Sequence, residues 1–561
     1  MKNHDQPWIA HYPLSAQQWE QPAARPMASV FLDAAERAPA NPCLTYADQT
    51  WSYGQVSGLV NRLSRGLQDL GVERGDRIAI CMPNHPAFVI AYYAALQIGA
   101  VVLSQNPLYP VAGLARQLEA AGVRIALIVD LPEVQAKAGM LLSQGTIKNL
   151  VVCRMDAGDL SPPPAAGLTA SDDPNVIDLA ALIANDGRFA PVDIDTHDLA
   201  ALQPTGGTTG VPKCAMLTHA NFYINLHQIL ALMPSLEFGK ETFLVPLPLF
   251  HITGTMLLMH IGISLGARLI LMPSFDIDKA IDLSVRHGVT YMAFVPTIYT
   301  ALLSNPRAPL VQWSKIKIAL AGGAPVPVEL RRRFFQTFGV SVRQAYGLSE
   351  CCPGVSMMPD TAGGSERSIG IPIPATQVEI RDLLDPSIVL APGERGEICV
   401  KGPQVMQGYW NQPDESGQYI MSDGFLRTGD IGTMDAQGFF EVLDRLKDMI
   451  IASGFKIYPS AIEAVIYQYD GVAETVVIGV PDPYRGETTK AFVSARPGCV
   501  IDLDALRRFL SSRLAPYEVP KLYEIRDHLP KTPAGKLSRL ALRQEESEKS
   551  SHGEAARATP S

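Results

Sequence analysis

Residues Thr205–Lys213 read TGGTTGVPK. Glycines allow a sharp turn and let backbone N–H groups come close to a ligand. Successive N–H groups make an anion-binding concavity, and the threonine hydroxyls and the closing lysine add donors and a positive charge. The run predicts a loop that holds nucleotide phosphates, although glycine and threonine also occur together in plain hairpin loops. It is not the ordinary NTPase loop, in which the last glycine touches the lysine and a hydroxyl residue follows. Here Val211 and Pro212 come between Gly210 and Lys213, and Cys214 follows. The flanking apolar runs LAAL (199–202) and CAML (214–217) have strand length, and a helical pattern begins near Asn221.

Outward from the loop, short β-rich runs alternate with helical patterns. IAICM (78–82), AVVLS (100–104) and IALIV (125–129) lie before it; Phe243–Leu247 and Lys315–Leu320 lie after it. This alternation predicts layered α/β structure. Ala87–Ser104 is almost wholly apolar, but Gln97 and Gly99 interrupt it, so it reads as a buried helix–strand pair more readily than a bilayer span. Residues 156–174 are rich in Pro, Ala, Asp and Ser and read as a surface loop.

Beyond about 446 the pattern becomes a small α+β unit. It has helices over Pro459–Tyr469 and Leu503–Leu514 and strands near 474–480 and 490–496. The expected organisation is a large N-terminal domain over 1–446 with several sheet-and-helix layers, a small mobile C-terminal domain over 447–545, and a disordered tail over 546–561. The tail is expected from its charged and small residues.

Bulk properties narrow the function. A chain of 561 residues exceeds one compact core. Its 47 basic and 56 acidic side chains leave a formal charge of −9, which argues against a nucleic-acid binder. Eight cysteines occur without a C-x-x-C pair, so a zinc site is not expected. With no signal peptide in view they read as reduced thiols in the cytoplasm. Peripheral membrane contact and a homodimer stay open.

In order, TGGTTGVPK, AGGAP (321–325), YGLSE (346–350), RTGD (427–430), DRLKD (444–448), SGFKIYP (453–459) and PKTPAGK (530–536) resemble the motifs of the adenylate-forming superfamily of acyl-CoA synthetases, adenylation domains and luciferases. The resemblance covers about 30–543. PWIAHYP (7–13), NPLYP (106–110) and QGYWNQP (407–413) look most like bacterial medium- and long-chain fatty acyl-CoA ligases.

That resemblance implies an ATP-dependent acid–thiol ligase using ATP, Mg²⁺ and CoA. An aryl or terpenoid acid, or a carrier protein as acceptor, is the alternative; a non-enzymatic lipid-binding protein is the remote one. It implies phosphate binding by Thr205, Gly206, Gly207, Thr208, Thr209, Gly210 and Lys213. Gly323, Ala324 and Pro325 would line the adenine pocket, though AGGAP alone equally reads as a strand-to-helix turn. Tyr346, with Gly347 and Ser349 beside it, would stack near the adenine, and Glu350 would bind Mg²⁺. Ser349 stands where the family more often has Thr, which keeps a hydroxyl.

By the same resemblance Asp430 and Arg445 would hold the ribose; blind, they read as a surface ion pair. Lys536 would reach the carboxylate and α-phosphate, Lys447 would be the hinge, and Gly454, Phe455 and Lys456 would border the pantetheine tunnel. His251 sits where amino-acid-activating members carry an aspartate, so a free amino acid is not the expected substrate; a core histidine is the alternative. Thr255–Gly266 and Cys351–Val355 are candidates for an acyl tunnel and equally for ordinary core.

Overall fold

The computed structural model describes residues 6–157, 160, 173–205, 213–359, 364–452, 455–482, 484–532 and 535–557. Most of 156–174, the expected surface loop, falls outside them, as do Gly206, Gly207, Thr208, Thr209, Gly210 and Gly454.

Four sheets are present among the described residues. In the largest, the strands Val342–Gly347, Ile318–Ala321, Tyr291–Phe294, Thr242–Val245, Arg268–Leu271 and Pro42–Tyr46 run parallel, with antiparallel strands at both edges. Their near-continuous apolar sequence suits parallel strands covered on both faces. A second sheet carries Arg77–Cys81, Val101–Ser104 and Ile125–Val129 in parallel and ends in the antiparallel pair Leu199–Pro204 and Cys214–Thr218. These are the two strands expected on either side of the glycine-rich run, here paired antiparallel. Thr205 N–H donates to Lys213 O at 2.7 Å and closes it.

The helix after the hairpin starts at His219, two residues before the pattern near Asn221. Thr218 and Asn221 cap each other reciprocally and satisfy the first free N–H groups. The segment Pro86–Gln97 is a helix buried on every side, followed by Gly99 at φ 73° and the strand Val101–Ser104. No described helix is long and apolar enough to cross a membrane.

A four-stranded sheet ends with Leu426–Met434 and Phe440–Arg445. A separate sheet begins at Ile450 and is built on the long pair Val472–Asp482 and Gly486–Ala495, with helices Pro459–Ile466 and Leu503–Ser511. It has its own core around Ile462, Val477, Val493 and Leu506.

Two expectations need correction. The strand expected over Lys315–Leu320 is Ile318–Ala321, because Trp313–Lys315 forms a 3-10 turn with the indole Nε1 donating to Ala308 O at 3.0 Å. The tail expected to be disordered from 546 is helical to Arg557. Its charges find partners on the sheet: Glu546 pairs with Lys490 at 2.8 Å and Lys549 with Glu524 at 3.4 Å.

Candidate active site

A parallel sheet aims its backbone and loops in one direction, so ligand sites gather outside the carboxyl ends of the strands. Residues from four neighbouring strands do so here. His251 follows Thr242–Val245, Thr297 follows Tyr291–Phe294, Gly323 follows Ile318–Ala321, and Tyr346 closes Val342–Gly347 with Glu350 just beyond.

Gly323 has φ 76°, the left-handed region that glycine occupies without steric cost. A Cβ there would meet Lys536, at 2.9 Å from Cε and 3.1 Å from Nζ. The C-terminal lysine therefore lies in the cleft, although 213 positions separate the two in the chain. Thr297 Oγ1 donates to Gly535 O at 3.0 Å and pins the lysine's loop to the large sheet. Within that loop Thr532 N–H donates to Lys536 O at 2.6 Å and Lys536 N–H to Thr532 Oγ1 at 3.2 Å. Burial, reinforced by the nearby Arg445 charge, pushes the Lys536 ammonium down to about 8.

His251 sits close enough to Lys536 to feel its charge. Burial first, and that charge second, lower the imidazole to about 3, so it is neutral at working pH. Its Nδ1 accepts from Thr253 N–H at 3.3 Å. The chain beyond it enters a π-helical turn, Gly254–His260, wholly buried. Such turns recur at functional sites.

Asp430 is 2% exposed and engaged on both oxygens. Tyr346 Oη donates to Oδ2 at 2.7 Å and Arg445 Nε pairs with Oδ1 at 2.9 Å. Each carboxylate oxygen keeps a second lone-pair direction for a further donor. Opposite Asp430, the Arg445 guanidinium is held above its ordinary value, chiefly by that carboxylate.

Glu350 lies in the 3-10 turn Ser349–Cys351 and accepts from Tyr409 Oη at 2.8 Å. No group of three or more His, Cys, Asp or Glu side chains among the described residues could hold a metal alone. A single carboxylate beside phosphates is nonetheless a usual Mg²⁺ setting, since that ion keeps waters and shares ligands with its substrate. Gly347 has no room for a side chain: a Cβ would stand 1.9 Å from Pro353 O. Ala324 and Pro325 lie on the loop between Ile318–Ala321 and the helix Val328–Phe338.

Other expected site residues stand apart. Phe455 is exposed and stacks on Tyr517, centroids 4.7 Å apart at 13°. Lys456 is exposed beside it, and Lys447 is exposed on the turn between Arg445 and Ile450. Cys351, Cys352 and Val355 are packed into the core, as is most of Thr255–Gly266.

Sequence reasoning missed Asn84, Thr297, Tyr409, Glu415 and Tyr419. Asn84 fastens the loop before His251, donating to Val245 O and Leu247 O and accepting from Leu249 N–H. Lys213 pairs with Glu415 and lies against the Tyr409 and Tyr419 rings. The signal available was QGYWNQP itself, which resemblance flagged without a role.

Residues 31–410 match the AMP-binding enzyme family and residues 461–536 match the AMP-binding enzyme C-terminal domain. The chain belongs to the AMP-binding enzymes. Among similar members of this family, the long-chain-fatty-acid–CoA ligase of Bacillus subtilis strain 168 is 37% identical over 97% of this chain and 98% of its own length. A feruloyl-CoA synthase of an Amycolatopsis species is 36% identical over 91% and 96%. The ATP-bound crystal structure of MatB from Rhodopseudomonas palustris superposes with a TM-score of 0.82, at 27% identity over 92% of this chain and 98% of that one. Family membership and this superposition account for the layered α/β architecture with a smaller C-terminal unit.

Proposed function

We infer that this AMP-binding enzyme is an ATP-dependent acid–CoA ligase that forms an acyl-adenylate and then a thioester, with a medium- or long-chain fatty acid as its acid. One observation carries the reading: Lys536 is delivered from the C-terminal sheet to Gly323 and His251 at the carboxyl edge of the large sheet. The family match and the fatty acid–CoA ligase relative support it.

A carboxylate resists nucleophiles because its oxygens already share negative charge. In the first step a carboxylate oxygen bonds to the α-phosphorus of ATP and the bond to pyrophosphate breaks. Negative charge spreads over the phosphorus oxygens, and fixed donors stabilise it. Lys536 would meet that charge. Gly323, Ala324 and Pro325 would lie against the adenine and Tyr346 near it, and Asp430 would accept from the ribose hydroxyls. Lys213, with Thr205 and the loop 206–210, would hold the outer phosphates. Glu350 would hold Mg²⁺, which supplies charge neutralisation there. Neutral His251 offers no anion for a substrate ammonium, in keeping with a plain carboxylic acid.

In the second step the CoA thiolate bonds to the acyl carbonyl carbon and AMP leaves. Lys536 occupies the cleft in this arrangement, while Phe455 and Lys456 face solvent. We therefore read residues 1–446 and 447–545 as two domains that turn about Lys447, withdrawing Lys536 and bringing Gly454, Phe455 and Lys456 to the pantetheine arm. Few residues need absorb such a turn. A long-chain acid partitions into bilayers, so the enzyme is proposed to work in the cytoplasm and collect its acid at a membrane surface. A homodimer is the proposed assembly.

An aryl acid is the second reading, favoured by the feruloyl-CoA synthase relative. The test is a panel of acids graded by chain length and ring content, assayed for AMP and pyrophosphate with CoA and, separately, with a carrier protein. A maximum among fatty acids with CoA is expected. A maximum among cinnamic-type acids would replace the substrate assignment, and ATP cleavage to ADP would end the ligase reading.

A further inference from the structure

The lysine that closes the phosphate loop is already occupied by an internal anion. Lys213 Nζ pairs with the Glu415 carboxylate. The rings of Tyr409 and Tyr419 flank the ammonium at 5.2 and 4.8 Å from their centroids and meet each other edge-on at 86°. Rings so placed attract a cation without neutralising it. The side chains of Lys213 and Glu415 are 18% and 29% exposed, so the pair is screened but can be reached from solvent.

This box is built against the base of the loop. Trp410 N–H donates to Cys214 O, Met216 N–H to Gly408 O and Gln407 N–H to Met216 O, which lays the segment 407–410 along the strand Cys214–Thr218. Tyr409 N–H donates to Ser416 Oγ, which fixes the short helix Pro413–Tyr419 that carries Glu415. The Tyr409 hydroxyl reaches the other way and donates to Glu350 at 2.8 Å. One tyrosine thus touches both the lysine proposed for phosphate and the carboxylate proposed for Mg²⁺.

A carboxylate and a polyphosphate cannot both draw full benefit from one ammonium, and they repel each other at short range. We propose that Glu415 is a positioning residue that competes with the ATP phosphates for Lys213. It holds the ammonium in the Tyr409–Tyr419 box between turnovers, yields it when the phosphates arrive, and reclaims it as pyrophosphate departs. The proposal rests on the reading of Lys213 as a phosphate ligand in an acid–CoA ligase. Its benefit is kinetic: a product with several negative charges would otherwise be held tightly by the groups that bound it as part of the substrate.

The test uses full-length protein with magnesium pyrophosphate as the calorimetric probe, so turnover is not required. Glu415→Gln removes the competing charge at nearly constant volume. It is expected to tighten pyrophosphate binding by roughly fivefold, the scale of a partly exposed ion pair, and to lower the pyrophosphate inhibition constant and the KM for ATP in step. Glu415→Asp keeps the charge on a shorter arm and should fall between the wild type and Glu415→Gln, and it carries the test alone if Glu415→Gln does not fold. Unchanged pyrophosphate binding, or weaker binding with a raised KM for ATP, would overturn the proposal, because Glu415 would then only orient Lys213. A wild type that binds pyrophosphate yet forms no AMP with any acid would sink the ligase reading instead.

Discussion

Lys536 lies against Gly323, and the space beside that glycine is filled by the lysine's own Cε and Nζ. This contact joins the C-terminal unit to the carboxyl edge of the large sheet.

Lys536→Ala should lower acyl-adenylate formation by about 10²–10³-fold, the scale for losing one group that meets developing charge. Thioester formation from supplied acyl-adenylate should be spared. Rapid-quench assays of the separate half-reactions decide this; equal losses in both would mean that the alternation about Lys447 is wrongly assigned.

The depressed Lys536 value also predicts a pH limb. The ammonium is needed in the first half-reaction and is lost as pH rises through about 8. The kcat/KM for ATP in adenylation reports the free enzyme, so it should fall with a midpoint near 8. The second half-reaction should lack that limb.

Asp430→Asn leaves the Tyr346 hydroxyl and Arg445 facing an amide. Hydrogen bonds to charged groups are worth about 1.5–3 kcal/mol, so the KM for ATP should rise by about tenfold or more. Tyr346→Phe, which removes only the donor at 2.7 Å, should have the smaller effect on ATP saturation.

Asp444 supplies a stability test. Its carboxylate is 2% exposed, accepts from Ser460 N–H at 2.8 Å and Arg445 N–H at 2.8 Å, and faces Arg539 and Glu463. Burial raises it from 3.8 to about 6 despite Arg539. The folded chain therefore binds more protons than the unfolded one between those values, and the group's contribution, complete below about 4, is lost as pH rises through 6. At ~1.4 kcal/mol per unit the change is about 3 kcal/mol. Thermal melts should show the wild type gaining on Asp444→Asn as pH falls from 6 to 4; parallel melting curves would refute the buried, proton-binding carboxylate.

Neutral His251 makes a negative prediction. With its value near 3, the imidazole should contribute no limb to kcat/KM between pH 5 and 7. Wild-type and His251→Gln profiles should run parallel there. A limb near 6.5 in the wild type alone would show that the ring is exposed to solvent.

Much of the site was legible because its parts are local. AGGAP and YGLSE are short runs that the large sheet places at the carboxyl ends of two neighbouring strands, and TGGTTGVPK begins where the strand Leu199–Pro204 of the second sheet ends. The harder parts are pairings across long separations. Glu415 is 202 positions from Lys213, and nothing in PDES distinguishes it from a solvated first-turn acid until the strand Cys214–Thr218 draws 407–410 alongside. The helix past 546 was hidden for the same reason: charged composition argues for solvation until Lys490 and Glu524 supply partners.

By itself the sequence determined the layered α/β class, the two strands that flank the glycine-rich run, a smaller α+β unit towards the C-terminus, and the residue types of the candidate site. The elements follow from periodicity and turn chemistry read within a few residues, and the site residues from the resemblance that the ordered motifs carry. Only the tertiary structure decided that Lys536 reaches Gly323, that His251 is neutral, that Asp430 is already held by Tyr346 and Arg445, and that Lys213 has an internal anion. Burial and electrostatic contact depend on distance in space, which a linear order of residues does not contain.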